Sequence, residues 1–209
     1  MLISSAILQA RPGKSEEATT QVLGVFAAAS KATGVPFAVW SAVAGLPFGS
    51  FVGSARVANM AEYLDAGQKM AADPDFRSAT RALADTLAGP TQTALNEVIA
   101  VAGEVGEPKP LVIVTVARLN AASLTPGLEY STRLATYAAD ATGVGVSVAI
   151  SKAGPMFQVS WLSGVDTGAQ VDEAEGKLNG DAGWLAMIES GAEYFIAGST
   201  ERALLARIG

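Results

Sequence analysis

The chain has no cysteine and no histidine among its 209 residues. Without cysteine there can be no disulfide, no thiolate nucleophile and no thiolate–metal site. Without histidine the usual general base near neutral pH is missing. The Ser–His pair, the common zinc ligand and the proximal ligand of most haems go with it. Charge is scarce as well. Asp, Glu, Lys and Arg make up 16% of the chain, and half of it is apolar; an ordinary soluble domain carries roughly 25% charged residues. A chain so poorly charged must hide much of its surface. Two halves packed together would do this, and contact between copies in a homo-oligomer would add to it.

The net charge is −6, and an acidic surface repels phosphate backbones, so nucleic acid is not an expected partner. No run of Lys or Arg offers a site for an anionic membrane. No stretch approaches the ~20 apolar residues of a membrane-spanning helix. Met1-Leu2-Ile3-Ser4-Ser5 has no basic residue of the kind that opens a signal peptide. The expectation is a cytoplasmic protein with no membrane partner.

What the chain does contain is a duplication. Ala32-Thr33-Gly34-Val35 returns 109 residues later as Ala141-Thr142-Gly143-Val144. Ala88-Gly89-Pro90-Thr91 and Ala94-Leu95 return as Ala197-Gly198-Ser199-Thr200 and Ala203-Leu204. Arg11 is matched with Arg118, and Asp73 and Phe76 with Asp181 and Trp184. Solenoid repeats run roughly 20–50 residues, so this unit is a whole small domain. The expected boundaries are a first repeat at 1–101, a Gly- and Pro-rich linker at 102–110 and a second repeat at 111–209.

Each half reads as strand, helix, strand, strand, helix, strand. In the first, Leu2 to Ala10 alternates as a strand. Ser15 reads as an N-cap, with Glu16 and Glu17 in the first turn. Val22, Val25, Phe26 and Ala29 share one helical face, and Gly34 and Pro36 end the helix. Phe37–Gly45 and Phe48–Val57 form a hairpin. Asn59 and Asp73 read as caps of two further helical stretches, and Thr91–Val101 as the fourth strand. The second half repeats the plan, with strands at Leu111–Leu119, Val144–Lys152, Met156–Ser163 and within Tyr194–Ile208. Its helices are expected at Thr125–Ala141, Asp166–Leu178 and Asp181–Ala192.

Two such units are the ferredoxin-like plan. The opening Gln9-Ala10-Arg11-Pro12-Gly13-Lys14-Ser15-Glu16-Glu17 and the segment Ala72-Asp73-Pro74-Asp75-Phe76-Arg77 resemble the dimeric α/β-barrel proteins. The nearest subgroups are the NIPSNAP-like and antibiotic-biosynthesis-monooxygenase-like ones. The resemblance implies an α+β fold of two tandem ferredoxin-like β-α-β-β-α-β repeats, packed as an intramolecular dimeric α/β-barrel. It also implies a range of chemistries: haem enzymes, cofactor-independent oxygenases, isomerases and members with no known reaction. Haem held by His is contradicted by the composition. Tyr63, Tyr130, Tyr137 and Tyr194 could in principle hold one, but nothing else points to it.

Candidate ligand-binding residues lie on the hairpins and at the ends of the first strands. Trp40 and Trp161 could wall a site for an aromatic ligand; as plain core they would fill space and find one partner for their N–H. Ser147, Ser151, Gln158 and Ser160 add hydroxyls and an amide that could line a polar cavity or sit satisfied at a packing interface. Arg11 and Arg118 could bind a carboxylate or enolate, or cap structure. Asp73 and Asp181 are better read as caps than as acids, and Asp172, Glu173 and Glu175 as a solvated helix face. No glycine-rich phosphate loop is present. No haem, zinc or flavin is expected, and no metal site. The expected function is a small-molecule-binding or stress-associated barrel taking a small apolar or aromatic ligand. The alternatives are a cofactor-independent oxygenase or isomerase on an aromatic, polyketide-like substrate, and a structural oligomerisation module. Any pocket is expected to differ strongly between the halves.

Overall fold

In the computed structural model, which describes residues 1–209, the order of elements follows the duplication. The first half carries β1 (Leu2–Gln9), α1 (Ser15–Thr33), β2 (Phe37–Ala44), β3 (Ser50–Val57), α2 (Met60–Ala72), α3 (Pro74–Ala84) and β4 (Gln92–Ala102). The second carries β5 (Leu111–Arg118), α4 (Leu124–Thr142), β6 (Val146–Ala153), β7 (Gln158–Val165), α5 (Gly168–Asn179), α6 (Ala182–Ser190) and β8 (Glu201–Arg207). The fold is α+β. Its eight strands hydrogen-bond in the closed barrel order β1-β3-β2-β8-β5-β7-β6-β4. The chain divides into two units, Met1–Asn96 with Ala206–Gly209, and Glu97–Leu205.

Local chemistry sets the ends of these elements. Asn59 accepts from the Glu62 N–H, Asp73 from the Phe76 N–H and Asp181 from the Trp184 N–H, each as an N-cap. Gly34 and Gly143 close the long helices α1 and α4 in the left-handed conformation, at φ 77° and 76°. Ser15 is not the cap of α1. It is the first helical residue, and its carbonyl accepts from the Thr19 hydroxyl. The last strand lies within the expected Tyr194–Ile208, as β8 from Glu201, and is preceded by a 3-10 turn at 192–194.

Strand register fixes which residues correspond between the units. Leu2 pairs with Val57 and Leu111 with Val165; Phe37 pairs with Ala55 and Val146 with Ser163. The offset is therefore 109 along β1/β5, α1/α4 and β2/β6, and 108 from β3/β7 to the caps of α3/α6. The change sits in the hairpin turn. Five residues (45–49) link β2 to β3, and four (154–157) link β6 to β7. Gly49, at φ 78°, thus corresponds to Phe157, at φ 61°. A left-handed phenylalanine costs about 1–2 kcal/mol, and its ring is packed against the core of the second unit.

This register moves Trp161. It corresponds to Gly53, not to Val52 where a constant offset of 109 would put it, and so belongs on the helix-facing side of its sheet. In the first unit the Phe26 ring of α1 lies over Gly53, where an added Cβ would sit 1.8 Å from it. In the second unit the helix position holds Ala135, and Trp161 fills the space from the strand, donating its indole N–H to the Ser131 carbonyl at 3.0 Å. Between the helices two further positions change, one buried (Leu83) and one exposed (Asp75) in the first unit. Gln21 and Leu83 become Tyr130 and Gly191, and a Cβ on Gly191 would meet the Tyr130 ring at 2.2 Å. Ala28 and Asp75 become Tyr137 and Gly183, where a Cβ would lie 2.4 Å from the Tyr137 hydroxyl.

Two expectations follow from this packing. Gly53→Ala should destabilise by roughly 1–3 kcal/mol, the cost of overpacking. Phe26→Ala alone should be worse, because it opens a cavity. The pair Phe26→Ala with Gly53→Trp, which copies the second unit, should recover part of that loss in chemical denaturation. A neutral Gly53→Ala would refute the packing described.

The second expectation concerns Asp181. Its carboxyl lies below its ordinary pKa, first because the Tyr137 hydroxyl donates to it at 2.7 Å, then because the Trp184 N–H does. A depressed carboxyl contributes stability above its unfolded pKa and loses it as the pH falls through the folded value. Tyr137→Phe should raise the Asp181 pKa in a carboxyl NMR titration and make the α6 cap more acid-labile. An unchanged pKa would show that the phenol is not the cause.

Candidate functional site

The exchanges of bulk leave the second unit with an aromatic helix edge. Tyr130 is 3% exposed, and its hydroxyl donates to the Met187 carbonyl at 2.6 Å. Its ring stands 5.2 Å from Tyr194 and 5.9 Å from Phe195, and Phe195 meets Trp161 edge-on at 5.8 Å. The Arg133 guanidinium, one turn along α4, lies 5.8 Å over the Tyr130 ring in cation–π geometry. Burial pushes the Tyr130 phenol above its ordinary pKa, with Arg133 opposing. The phenol therefore stays protonated at neutral pH and acts as a donor.

Beside these rings α4, α6 and the 192–194 turn border an open surface cleft of about 430 Å³. Tyr130, Tyr194, Met187, Ala186 and Gly183 supply its apolar wall, and Arg133, Ser190 and Glu193 its polar groups. In the first unit the corresponding positions hold Gln21, Thr86, Ala79, Ser78 and Asp75, with Gly24 in place of Arg133. There Leu83 and Thr86 are buried.

A second groove of about 310 Å³ lies where β5, β7 and β8 come together within the same unit. Arg118 and Gln158 face each other across the β5–β7 ladder and line it with Val116, Ile196, Ser199 and Glu201.

The candidate residues from the sequence distribute as follows. Arg118 and Gln158 come together in that groove. Ser147, Ser151 and Ser160 share the sheet face that carries Gln158, opposite to the face packed on α4. Ser147 and Ser160 are buried. Trp40 is buried on the face of β2 opposite to Val39, which packs with Val22 and Phe26, and its indole N–H donates to the Ser54 hydroxyl at 3.0 Å. Trp161 lies in the helix–sheet layer instead. Arg11 is not the counterpart of Arg118. Equivalent bridges, Ala10 with Leu87 and Leu119 with Phe195, pair Arg118 with Gln9. The Arg11 Nε donates to the Leu87 carbonyl at 2.7 Å, a structural contact. No group of three or more carboxylates converges as a metal-binding set, and no helix is long and apolar enough to cross a membrane.

Sequence reasoning passed over Arg133 and named Tyr130 and Tyr194 only as remote haem ligands. The signal was present in the repeat: the buried Gly191 stands where the first half buries Leu83. A glycine replacing a larger residue inside a packed layer marks the approach of another side chain.

No family model matches the chain, and no curated protein matches it in sequence. Solved structures do match it over its full length. A candidate monooxygenase of Fusobacterium nucleatum superposes with a TM-score of 0.73 at 9% identity, covering 100% of this chain and 92% of its own. An anthrone oxidase-like protein gives 0.71 at 13% identity, covering 100% and 91%. A candidate monooxygenase of Lactobacillus acidophilus gives 0.67 at 8% identity, covering 99% and 93%. At such identities the likeness is one of fold. That fold is the dimeric α/β-barrel, carried here by two tandem ferredoxin-like repeats in one polypeptide.

Proposed function

We propose that this α/β-barrel protein binds a small planar aromatic molecule bearing an ionisable oxygen, in the cleft of its second unit. The observation that carries the reading is the pairing of an aromatic wall, Tyr194 backed by the buried Tyr130, with a single guanidinium, Arg133, around about 430 Å³. Ligand sites run roughly 300–1,000 Å³ and combine an apolar lining with a few convergent polar groups. The first unit, with Gln21, Gly24 and Thr86 at these positions, has no such combination. Selective retention in one copy is what a fused duplicate permits.

A second reading is favoured by the same guanidinium. The full-length structural neighbours are candidate monooxygenases and an anthrone oxidase-like protein. An Arg beside an aromatic wall stabilises the phenolate or enolate from which an aromatic substrate reacts with oxygen. The chain supplies no histidine base, so the substrate would enter already ionised or lose its proton to water or to Glu193.

The test is calorimetric titration with 1,8-dihydroxyanthraquinone as a stable planar probe. Tyr194→Ala and Arg133→Gln should each weaken binding about tenfold, close to 1.4 kcal/mol, as loss of an aromatic contact or a charged hydrogen bond requires. Gln21→Ala in the first unit should leave affinity unchanged. Oxygen uptake on adding anthrone, lost in Arg133→Gln, would establish the oxygenase reading. No binding of either compound by the wild type would overturn both and leave a structural oligomerisation module.

A further inference from the structure

Arg118 and Arg11 are the same residue type with opposite fates. Arg11 is tied to a backbone carbonyl, whereas Arg118 ends β5 with its guanidinium exposed and in no ion pair. Its backbone is nonetheless firmly held. The Arg118 N–H donates to the Ser199 hydroxyl at 3.0 Å, and its carbonyl accepts from the Ile196 N–H at 2.8 Å. Gln158 sits opposite it in register. The Ser199 hydroxyl also donates to the Ile196 carbonyl at 2.6 Å, which fixes the 196–199 turn as the groove's wall.

Glu201 lines the same groove, also without an ion pair, while its neighbour Arg202 is paired with Glu175 at 2.7 Å. One guanidinium and one carboxylate therefore face a single groove of about 310 Å³ without meeting, with a side-chain amide between the strands. The equivalent positions in the first unit are uncharged: Gln9, Ser50 and Gln92. Both charges are thus particular to the second unit.

We infer that this groove binds a zwitterionic amino-carboxylate of amino-acid size. Arg118 takes the carboxylate through its forked donors, Glu201 takes the ammonium, and Gln158 hydrogen-bonds the carboxylate from the facing strand. Arg118 and Glu201 line the groove without pairing with each other, so a ligand carrying both signs can satisfy both. The site is separate from the Tyr130 cleft, sharing none of its lining residues.

The experiment is a backbone and side-chain amide NMR titration with L-phenylalanine, 3-phenylpropionate and phenethylamine. L-Phenylalanine should shift the Gly198 and Ser199 amides and the Gln158 side-chain amide. The two singly charged analogues should bind about tenfold more weakly, the factor expected for one lost charge-assisted hydrogen bond. Arg118→Gln should weaken L-phenylalanine and 3-phenylpropionate and spare phenethylamine; Glu201→Gln should do the converse. Both side chains are exposed, and the remaining amide shifts report whether each variant is folded. The inference is overturned if L-phenylalanine shifts none of these amides. It is equally overturned if shifts fall at Met187 and Ser190 instead, if both variants bind L-phenylalanine like the wild type, or if 3-phenylpropionate binds as well as L-phenylalanine.

Discussion

Where α1 and α4 cross their strands at Gly53 and Trp161, the space between backbones must be filled once. It can be filled from the helix or from the strand, but not from both and not from neither. Phe26 over Gly53 fills it from the helix, and Trp161 over Ala135 fills it from the strand. Interiors are packed like organic crystals, so an overlap or a void of even one methylene is felt. The backbone frame of the repeat is preserved between the units: the caps at Asp73 and Asp181, the bridges at Ala10–Leu87 and Leu119–Phe195, and the terminal glycines of α1 and α4. With the frame fixed, the side chains packed at this crossing diverged as a compensating pair.

Where the bulk ends up decides where a ligand could enter. In the first unit Leu83 points into the layer and seals it against α1. In the second, Gly191 vacates that volume and the Tyr130 ring enters from α4, carrying a polar end that finds the Met187 carbonyl. Thr86 and Leu87 give way to Tyr194 and Phe195, so three rings gather at one helix edge. An aromatic edge with a guanidinium above it has a recognition chemistry that a leucine seal lacks. The candidate site is thus a consequence of how the layer was repacked, and its residues need not resemble any catalytic motif.

The fold was legible because its sequence signals were redundant. Caps, strand alternation and terminal glycines were each repeated, so an error in one copy was checked by the other. The side-chain layer was less legible, for one physical reason. The first hairpin turn is one residue longer than the second, and a one-residue slip in a strand moves every side chain to the opposite face. At a constant offset Trp161 lines up with Val52, on the face away from the helix; in register it lines up with Gly53, beneath Phe26. Arg11 and Arg118 misled in the same way, since shared residue type outweighed position. Arg118 and Gln158, both candidates from the sequence, lie opposite each other at strand ends.

The two arginines show how a duplicated frame separates stability from recognition. A guanidinium whose Nε is bonded to the Leu87 carbonyl satisfies a backbone acceptor at the end of a helical turn. Removing it would leave that carbonyl to water and loosen the junction with β1. A guanidinium at the end of β5, two positions earlier in the frame, bonds no carbonyl and is hydrated instead. Hydration there costs the fold nothing, because the Arg118 backbone is already fixed by Ile196 and Ser199. An exposed cation on a hydrogen-bonded backbone asks a ligand to displace water and order one side chain, but not the chain around it. In a chain this poor in charge, with neither histidine nor cysteine, such cations are the strongest polar groups available. Arg133 over Tyr130 and Arg118 beside Gln158 are both held on ordered elements of the second unit, and the first unit offers Gly24 and Gln9 in their places.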